Sequence, residues 1–365
     1  MDKGDILSTV KSANHFNMSG RVLFVKTKVL GGNEVYKIFE TVKWANLNFP
    51  LNSFSIQIKS DRFSSSDVLP TLELLMYYLA SNYPNLWKIT FLSEIVIKRN
   101  VLFLNSLLKD YNGKMIGGGY VCHFRKKYYE RNYLRLYISL NEFLEDNKSV
   151  STYCDEVFLF LKHTSLDEET CVDLFDVCSE VISNVFDHTE SDCLIDIKFT
   201  DVANKRKLLC INIISISNVY IGSKIVDLLD TNQLVNYSGS DVVLKAFKYH
   251  SKHFSENYNK GSFGFVCAFQ NRVSTRSNSK QSGGTGLTTL IKRIHGKKTE
   301  DSYFSYFLSG DNMLSLNTQY LVVNSDGLIG FNDSNNFYTD IPNPSIIIKE
   351  KQTFPGTIFS VNLLF

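Results

Sequence analysis

Alternating and helically spaced apolar residues divide the first half of the chain into strands and helices. Period-two alternation predicts strands in FSIQIKS (54–60) and WKITFLS (87–93). Longer apolar faces predict helices in SSDVLPTLELLMYYLASNY (65–83) and VLFLNSLLKDY (101–111). RVLFVKTKV and EVYKIFETV are two shorter strand candidates upstream. Strands that alternate with helices predict a small α/β unit.

The second half begins with a strong helix pattern in SLDEETCVDLFDVCSEVISNVFDHT (165–189), where Ser165 and Glu168 predict a capping box. CLIDIKF (193–199) and LLCINIISIS (208–217) then predict a hairpin. A Ser/Asn/Lys-rich stretch, about 251–282, predicts a polar lid, and PGTIFSVNLL (355–364) predicts a closing strand. The polar segment LEDNKSV (144–150) predicts a linker, which gives domains 1–145 and 146–365.

The composition agrees with two globular domains. The chain has 365 residues, of which 44% are hydrophobic and 21% charged, with a formal net charge of +2. A net charge this small does not favour binding to nucleic acid or to acidic membranes. Neither a signal peptide nor a membrane-spanning run is apparent, so we expect a cytoplasmic protein. The seven cysteines include no Cys-x-x-Cys and predict reduced core residues.

The polar edge of the 165–189 helix is the first candidate for chemistry. Glu180, Asn184 and Asp187 or His188 are spaced to share one edge. A glutamate can act as a general base, and an asparagine oxygen can bind Mg²⁺. An ordinary polar edge of an amphipathic helix is the alternative interpretation.

The second candidate is the glycine-rich stretch QSGGTGLTTLIKRIHG (281–296). Gly283, Gly284 and Gly286 leave the backbone free to approach an anion, and a helix that begins near Leu287 would offer unpaired N–H groups. The stretch is therefore either a phosphate cradle or a flexible loop before a helix. It lacks the Gly-Lys-Ser/Thr of a Walker motif.

Taken in order, SEVISNVFDH, the hairpin, the polar lid, GGTGLTTLIKRI and GTIFSVNL resemble the GHKL superfamily. That superfamily includes gyrase, the ninety-kilodalton heat-shock chaperone, sensor histidine kinases and a mismatch-repair ATPase. The resemblance extends from about residue 164 to the C-terminus. It implies an α/β sandwich of the Bergerat type, in which helices cover one face of a mixed sheet, and it implies ATP and Mg²⁺ as cofactors.

The resemblance also implies roles for single residues. Glu180 matches the general base and Asn184 the Mg²⁺ ligand, while Thr357 matches a threonine near the adenine. The stretch that closes over the triphosphate matches at Gly284, Gly286 and Leu287. The other implied nucleotide-site residues are Asp187, His188, Gly283 and Thr285.

The first glycine box of the family, Asp-x-Gly-x-Gly, is not retained. Depending on register, Ser215 or Ser217 replaces its aspartate, with Asn218 beside it; Val219 and Ile221 replace its glycines, and Thr288 replaces a later one. Loss of a charge-assisted hydrogen bond to the adenine costs about 1–2 kcal/mol, or roughly tenfold in affinity. Weak binding, altered base preference and loss of binding all remain open.

The first half, with YLRLYISL, resembles bacterial proteins that fuse a STAS-like domain to an ATP-binding domain. An ATP- and Mg²⁺-dependent regulatory switch with slow ATPase activity, in bacterial signalling or defence, is one implied function. A degenerate adaptor without catalysis and a serine kinase of the anti-sigma-factor type are the alternatives. We expect a protein partner or a homodimer, and neither a membrane nor nucleic acid.

Three further features have simpler explanations. His250 and His253 predict a solvated helix end rather than a metal site. Lys292 and Arg293 lie either on the exposed side of their helix or at a phosphate. The basic and aromatic residues of 117–136 fit a surface turn beside core tyrosines better than a nucleic-acid site.

Overall fold

The computed structural model describes residues 18–19, 21–49, 52–83, 86–93, 97, 106–141, 150–186, 191–202, 206–271, 273, 286–294, 304–316 and 318–365. The chain forms two compact units. The first is Met1–Tyr128 with Arg135–Tyr137, and the second is Tyr129–Leu134 with Ile138–Phe365. The expected domain boundary between residues 145 and 146 falls a short distance after this division.

The first unit contains seven strands and four helices among the described residues. The strands are β1 (Met18–Ser19), β2 (Val22–Lys26), β3 (Val29–Leu30), β4 (Ser53–Lys59), β5 (Arg62–Phe63), β6 (Leu86–Phe91) and β7 (Met115–Ile116). The helices are α1 (Gly32–Asn48), α2 (Val68–Asn82), α3 (Leu107–Asp110) and α4 (Gly118–Phe124). The strands predicted at 54–60 and 87–93 and the helix predicted at 65–83 are therefore confirmed.

A five-stranded sheet in the order β1-β2-β4-β6-β7 forms the centre of the first unit. Strands β2, β4 and β6 are parallel, and β1 and β7 pair antiparallel at the edges. Alternate residues form one fully buried face, namely Leu23, Val25, Phe54, Ile56, Ile58, Trp87, Ile89 and Phe91. The Trp87 indole stacks on Phe54 and donates Nε1 to Asn46 of α1 at 2.9 Å, so α1 covers this face.

The prediction of a strand in EVYKIFETV is wrong, because this segment lies within α1. Its β-branched and aromatic residues favour a strand when propensity alone is considered. The buried positions are nevertheless spaced by three and four residues, which is the period of a helix. They are Val35, Ile38, Phe39, Val42 and Ala45.

The remaining strands are β8 (Tyr128–Glu130), β9 (Tyr133–Ile138), β10 (Cys193–Asp201), β11 (Lys207–Ile216), β12 (Tyr306–Ser309), β13 (Asn312–Ser315), β14 (Ile347–Lys349) and β15 (Gly356–Leu364). The remaining helices are α5 (Val150–Lys162), α6 (Glu168–Asn184), α7 (Ser223–Asp230), α8 (Ser240–His250), α9 (Lys260–Ala268) and α10 (Gly286–Ile294). Short 3-10 turns occur at Leu234–Asn236, Ser251–His253 and Thr318–Tyr320.

Strands β8 to β15 form one sheet in the order β14-β13-β12-β15-β11-β10-β9-β8. The pairings from β14 through β10 are all antiparallel, so the mixed sheet that the resemblance implies is not seen in these strands. One face is apolar: Ile195, Ile213, Phe359, Phe307 and Leu314 form one cross-strand row. The rings of Phe265 and Phe269 contact Phe307 on this face. The fold is thus α/β, as predicted.

The opposite face of that sheet carries polar side chains that are buried as well. Lys198 Nζ lies 3.1 Å from Asp196 Oδ1, and Tyr133 donates its hydroxyl to Asp196 Oδ2 at 2.9 Å. Both charged side chains are almost completely buried. Buried charges require such pairing, because an unpaired ion in the protein interior loses its hydration without compensation.

The predicted capping box at the start of α6 is wrong by two residues. Asp167 is the N-cap, and its carboxylate accepts hydrogen bonds from Thr170 N at 2.8 Å and from Thr170 Oγ1 at 2.9 Å. The Ser165 hydroxyl instead accepts a hydrogen bond from Lys207 Nζ at 2.9 Å. Aspartate and serine are comparable N-caps, so the sequence alone does not decide between these two positions.

The prediction of a polar lid over 251–282 is wrong for its middle part. Helix α9 lies there, and Phe263, Phe265, Val266 and Cys267 are fully buried in the core of the second unit. The prediction followed the Ser, Asn and Lys content of the whole stretch, which hides this short apolar segment. Gly264 is required where it stands, because a Cβ at this position would lie 2.7 Å from the Gly222 carbonyl oxygen.

Six of the seven cysteines are buried with free thiols, in agreement with the prediction of reduced core residues, while Cys122 is exposed. Burial raises the pKa of the Cys154, Cys171 and Cys178 thiols, which therefore stay protonated. None of the helices in the described part of the chain has the length and apolarity that crossing a bilayer requires.

Candidate functional site

Helix α6 places Glu180 and Asn184 one turn apart, where their side chains meet. Asn184 donates its Nδ2 to the Glu180 carboxylate oxygen Oε1 at 2.7 Å and to the Glu180 carbonyl oxygen at 2.8 Å. The apolar stripe of Leu174, Val177, Val181 and Ile182 anchors the helix in the core. The spacing of four residues that the sequence suggested thus produces a direct contact.

These two hydrogen bonds fix the orientation of the Asn184 amide. Because a carboxylate and a carbonyl only accept, the nitrogen must point toward Glu180. The amide oxygen, Oδ1, then has no hydrogen bond in the described part of the chain. Amide oxygens are ligands that Mg²⁺ accepts. The pair therefore presents one carboxylate and one free, hard oxygen atom.

A row of small polar side chains crosses the sheet at the end of β11. Ser215 is in register with Cys193 of β10 and with Thr357 of β15, and Thr357 is in register with Ser309 of β12. Register partners share a face, and this is the face that carries the apolar row described above. The Thr357 and Ser309 hydroxyls lie 3.0 Å apart.

Ser215 is the exceptional member of this row. Its side chain is fully buried, and its hydroxyl forms no hydrogen bond within the described residues. An unpaired buried hydroxyl costs about 1–3 kcal/mol, so most proteins avoid one. A polar ligand group beside Ser215 would remove this cost.

The register also separates the two candidate serines. Ser215 lies within β11 and is paired with Thr357, whereas Ser217 lies beyond the end of the strand. The Ser217 hydroxyl accepts a hydrogen bond from Val219 N at 2.9 Å and so stabilises the turn. Asn218, which is exposed, lies in the same turn. Ser215 is therefore the serine that lies beside Thr357.

Gly356 allows β15 to reach the end of β11. Its φ of +149° is one that residues with a side chain rarely adopt, and a Cβ here would lie 1.9 Å from the Ser215 carbonyl oxygen. Glycine is thus required next to Thr357, and the pairing of Thr357 with Ser215 depends on it.

The helix predicted after the glycine stretch is confirmed as α10, which begins at Gly286. Leu287 is buried, and Thr288 donates its hydroxyl to the Phe269 carbonyl oxygen at 2.8 Å. The Arg293 guanidinium forms ion pairs with Asp173 and Asp176 of α6. Arg293 thus lies on the exposed side of α10, one of the two expected positions, and its ion pairs join α10 to α6.

The structure joins some of the predicted site residues and not others. Glu180 contacts Asn184, and Ser215 lies in register with Thr357. No hydrogen bond between described residues connects the first pair to the second. Five predicted site residues lie outside the described residues, two at the end of the α6 segment and three on the glycine stretch: Asp187, His188, Gly283, Gly284 and Thr285.

The prediction of a solvated helix end is wrong for His250. Its imidazole is fully buried, with Nδ1 2.6 Å from the Tyr258 hydroxyl and Nε2 2.7 Å from the Phe337 carbonyl oxygen. A carbonyl only accepts, so Nε2 carries the proton and Nδ1 accepts from Tyr258. Burial lowers the pKa of His250, although the Phe337 carbonyl partly opposes this. His253 stacks on the Tyr249 ring instead.

Sequence reasoning missed Ser309. Its hydroxyl contacts that of Thr357 and accepts a hydrogen bond from Ile221 N at 2.9 Å, so it ties the segment after β11 to the sheet. A serine one residue before a Gly-Asp turn looks like part of the turn. Only its register with Thr357, which is 48 positions away, shows that Ser309 belongs to the polar row beside Ser215.

No protein-family model matches this chain, and neither a curated protein nor a solved structure matches it. Among the described residues, no group of three or more His, Cys, Asp and Glu side chains is arranged to hold a metal ion. The functional argument therefore rests on the geometry of Glu180, Asn184, Ser215 and Thr357.

Proposed function

We propose that the chain is an ATP- and Mg²⁺-binding regulatory protein of the GHKL type, in which bound nucleotide controls the binding of a protein partner. The observation that carries the proposal is the buried, unpaired hydroxyl of Ser215 beside Thr357. It lies at the end of β11, where the resemblance implies the contact to the adenine amino group. A hydroxyl oxygen can accept that hydrogen bond.

The residues present fit the proposed cofactors. Asn184 Oδ1 would hold Mg²⁺, which needs only one or two protein ligands when phosphate oxygens and waters complete its shell. The Mg²⁺ would neutralise phosphate charge. The absence of a three-residue metal cluster among the described residues is therefore compatible with this role.

Helix α10 would supply the phosphate-binding end of the site. On α10, Arg293 lies seven residues after Gly286, which is about 10 Å along the helix axis. On α6, Asp176 lies eight residues before Asn184, which is about 12 Å along the axis. In the proposed site α10 runs antiparallel to α6. The ion pair of Arg293 with Asp176 would then place the N-terminus of α10 level with Asn184. A helix N-terminus favours anions.

Glu180 would be the general base of a slow hydrolysis. Its carboxylate is half-buried and accepts from Asn184, so its position is fixed beside the proposed Mg²⁺ ligand. A carboxylate at this place could take a proton from an attacking water. The proposed role of the first unit is that of a STAS-like regulatory domain, with a bacterial signalling or defence system as the setting.

Two alternatives make different predictions. A degenerate adaptor would bind its partner without nucleotide, and the neutral Ser215 in place of an aspartate favours that alternative. A serine kinase of the anti-sigma-factor type would transfer the terminal phosphate to a protein. The joined Glu180 and Asn184 side chains favour a site that handles nucleotide over a degenerate one.

Incubation of the protein with γ-labelled ATP separates the three. Release of labelled phosphate that disappears in Glu180→Ala supports hydrolysis, and transfer of the label to a protein supports a kinase. A stable partner complex without release, transfer or nucleotide dependence supports the adaptor and contradicts the proposal.

A further inference from the structure

Among the described residues, the sheet of the first unit has one open face. The buried face is covered, while the alternate residues of the same strands point away from it. Phe24, Leu92 and Met115 are each between 42% and 50% exposed, and Lys26, Lys59 and Lys88 are exposed as well. Parallel strands are usually covered on both faces. An uncovered face on β2, β4 and β6 is therefore a candidate binding surface.

Register defines the arrangement of this open face. Phe24 is aligned with Gln57 and Thr90 in its middle row. Lys26 and Lys59 are aligned with each other one row above, and Lys88 is aligned with Ser55 and Met115 one row below. The face thus has an aromatic ring on β2 in its middle row, polar neighbours on β4 and β6 in the same row, and lysines in the rows on both sides.

The charge of the open face has a single sign. Among the residues of β2, β4, β6 and β7 on this face none is acidic, and three are lysines: Lys26, Lys59 and Lys88. Its three lysines form no ion pair within the described part of the chain. The balanced charge of the whole chain, +2, conceals this local excess of positive charge.

The spacing of the apolar residues argues against a helical protein partner. Phe24 and Leu92 are separated by two strands and two residues, or about 12 Å between Cα atoms, with Thr90 and Gln57 between them. A docked amphipathic helix requires a continuous apolar stripe. Lysines are also depleted in protein–protein interfaces.

We propose that the open face binds single-stranded nucleic acid. Phe24 would stack on a base, and Gln57 and Thr90 would contact base edges. The three lysines in the rows on both sides, Lys26, Lys59 and Lys88, would contact phosphates. Aromatic side chains between basic residues are the usual composition of such surfaces. The proposal concerns a different unit from the nucleotide site and does not depend on it, and it replaces the expectation, drawn from net charge, that nucleic acid is not a partner.

Anisotropy with a fluorescein-labelled dodecamer of deoxythymidine tests the proposal on the full chain. We expect binding that weakens about tenfold in Phe24→Ala, because stacking on one aromatic ring contributes that much. Three phosphate contacts predict a slope of about −2 for log K against log salt, or a loss of roughly 20-fold between 50 and 200 mM salt. Lys59→Gln should reduce the slope by about 0.7.

Matched controls identify the surface. Phe304→Ala removes a phenylalanine of similar exposure in the second unit, and Lys248→Gln removes an exposed lysine there; neither should change binding. Asn184→Ala should also leave it unchanged, which separates this surface from the proposed ATP site. Circular dichroism verifies that the exposed substitutions leave the fold intact.

Three results would overturn the proposal. One is no binding up to about 100 µM, the weak end of nonspecific affinity. The second is equal binding of a duplex or of polyphosphate with no effect of Phe24→Ala, since charge alone would then explain it. The third is a protein partner whose binding, and not that of the oligonucleotide, depends on Phe24.

Discussion

Asn184 Nδ2 lies 2.7 Å from Glu180 Oε1, so the two residues central to the proposed site are already joined. The contact assigns a separate task to each end of the Asn184 amide. The nitrogen orients the carboxylate, and the oxygen, which has no hydrogen bond among the described residues, is the proposed cation ligand. This division of tasks leads to the first prediction.

Glu180→Gln should separate binding from hydrolysis. The glutamine oxygen can still accept from Asn184, so we expect ATP affinity within about twofold of the wild type. Phosphate release should fall by roughly 10²–10⁴-fold, the usual contribution of a general base. Nucleotide titration and single-turnover phosphate release measure the two effects. Equal hydrolysis in the variant and the wild type would exclude Glu180 as the base.

Replacement of Ser215 by alanine should stabilise the protein but weaken ATP binding. Ser215→Ala removes a buried hydroxyl without a partner, so we expect the free energy of unfolding to rise by about 1 kcal/mol while ATP affinity falls. Ser360→Ala is the matched control, because its buried hydroxyl donates to Asn212 Oδ1 at 2.9 Å and its loss should destabilise the protein. Urea unfolding of both variants measures the difference. If Ser215→Ala were destabilised, the Ser215 hydroxyl would have to form a stabilising interaction in the folded protein.

Ser215→Asp should restore the charged contact that the resemblance implies. We predict ATP binding about tenfold tighter than in the wild type, because a charge-assisted hydrogen bond adds about 1–2 kcal/mol. GTP, which lacks the amino group at this position, should gain nothing. Calorimetry with both nucleotides measures the difference, and an equal gain for both would place the adenine elsewhere.

Gly356→Ala should destabilise the second unit. The new Cβ would lie 1.9 Å from the Ser215 carbonyl oxygen, in a backbone conformation that alanine rarely adopts. We expect a loss of about 2–3 kcal/mol or more in urea unfolding, since the strand must move or strain. Gly32→Ala, where nothing lies within 4 Å, is the control and should be nearly neutral. Similar stability of the two variants would contradict the close approach of β15 to β11.

His250 should make stability depend on pH. Burial lowers its pKa below the ordinary value of about 6.5, so the unfolded chain binds the proton first as the pH falls. The free energy of unfolding should therefore be fully retained above about pH 6.5 and decline below it. NMR titration of the His250 ring should give a pKa under 6.5. His250→Gln should flatten the decline, whereas His253→Gln should preserve it; an unchanged slope in His250→Gln would assign the effect to other groups.

The sequence predicted the elements whose apolar pattern is unambiguous. Strands β4 and β6 show a clear period of two residues, and helix α2 and the β10–β11 hairpin are long apolar runs bounded by polar residues. Helix α1 was mistaken for a strand because its β-branched residues outweighed its helical spacing. Helix α9 was not predicted because the 251–282 stretch as a whole is rich in Ser, Asn and Lys, and the close approach of Gly264 to Gly222 is a tertiary contact that no local pattern contains.

In the candidate site as well, contacts within one helix could be predicted from the sequence, whereas contacts between distant strands could not. Glu180 and Asn184 could be paired from the sequence because residues four apart in a helix meet. The contact of Ser309 with Thr357, and the choice of Ser215 over Ser217, depend on strand register across separate hairpins. The burial of His250 likewise depends on Phe337, which lies 87 positions away.

The most direct test of the account is calorimetric titration of the full chain with ATP and Mg²⁺, in parallel with Asn184→Ala. We expect binding to the wild type that requires Mg²⁺ and that the substitution abolishes, because Asn184 Oδ1 is the proposed cation ligand. No heat of binding at millimolar ATP would contradict it, as would equal binding by both proteins; either result would mean that the joined Glu180 and Asn184 side chains serve the fold and not a nucleotide.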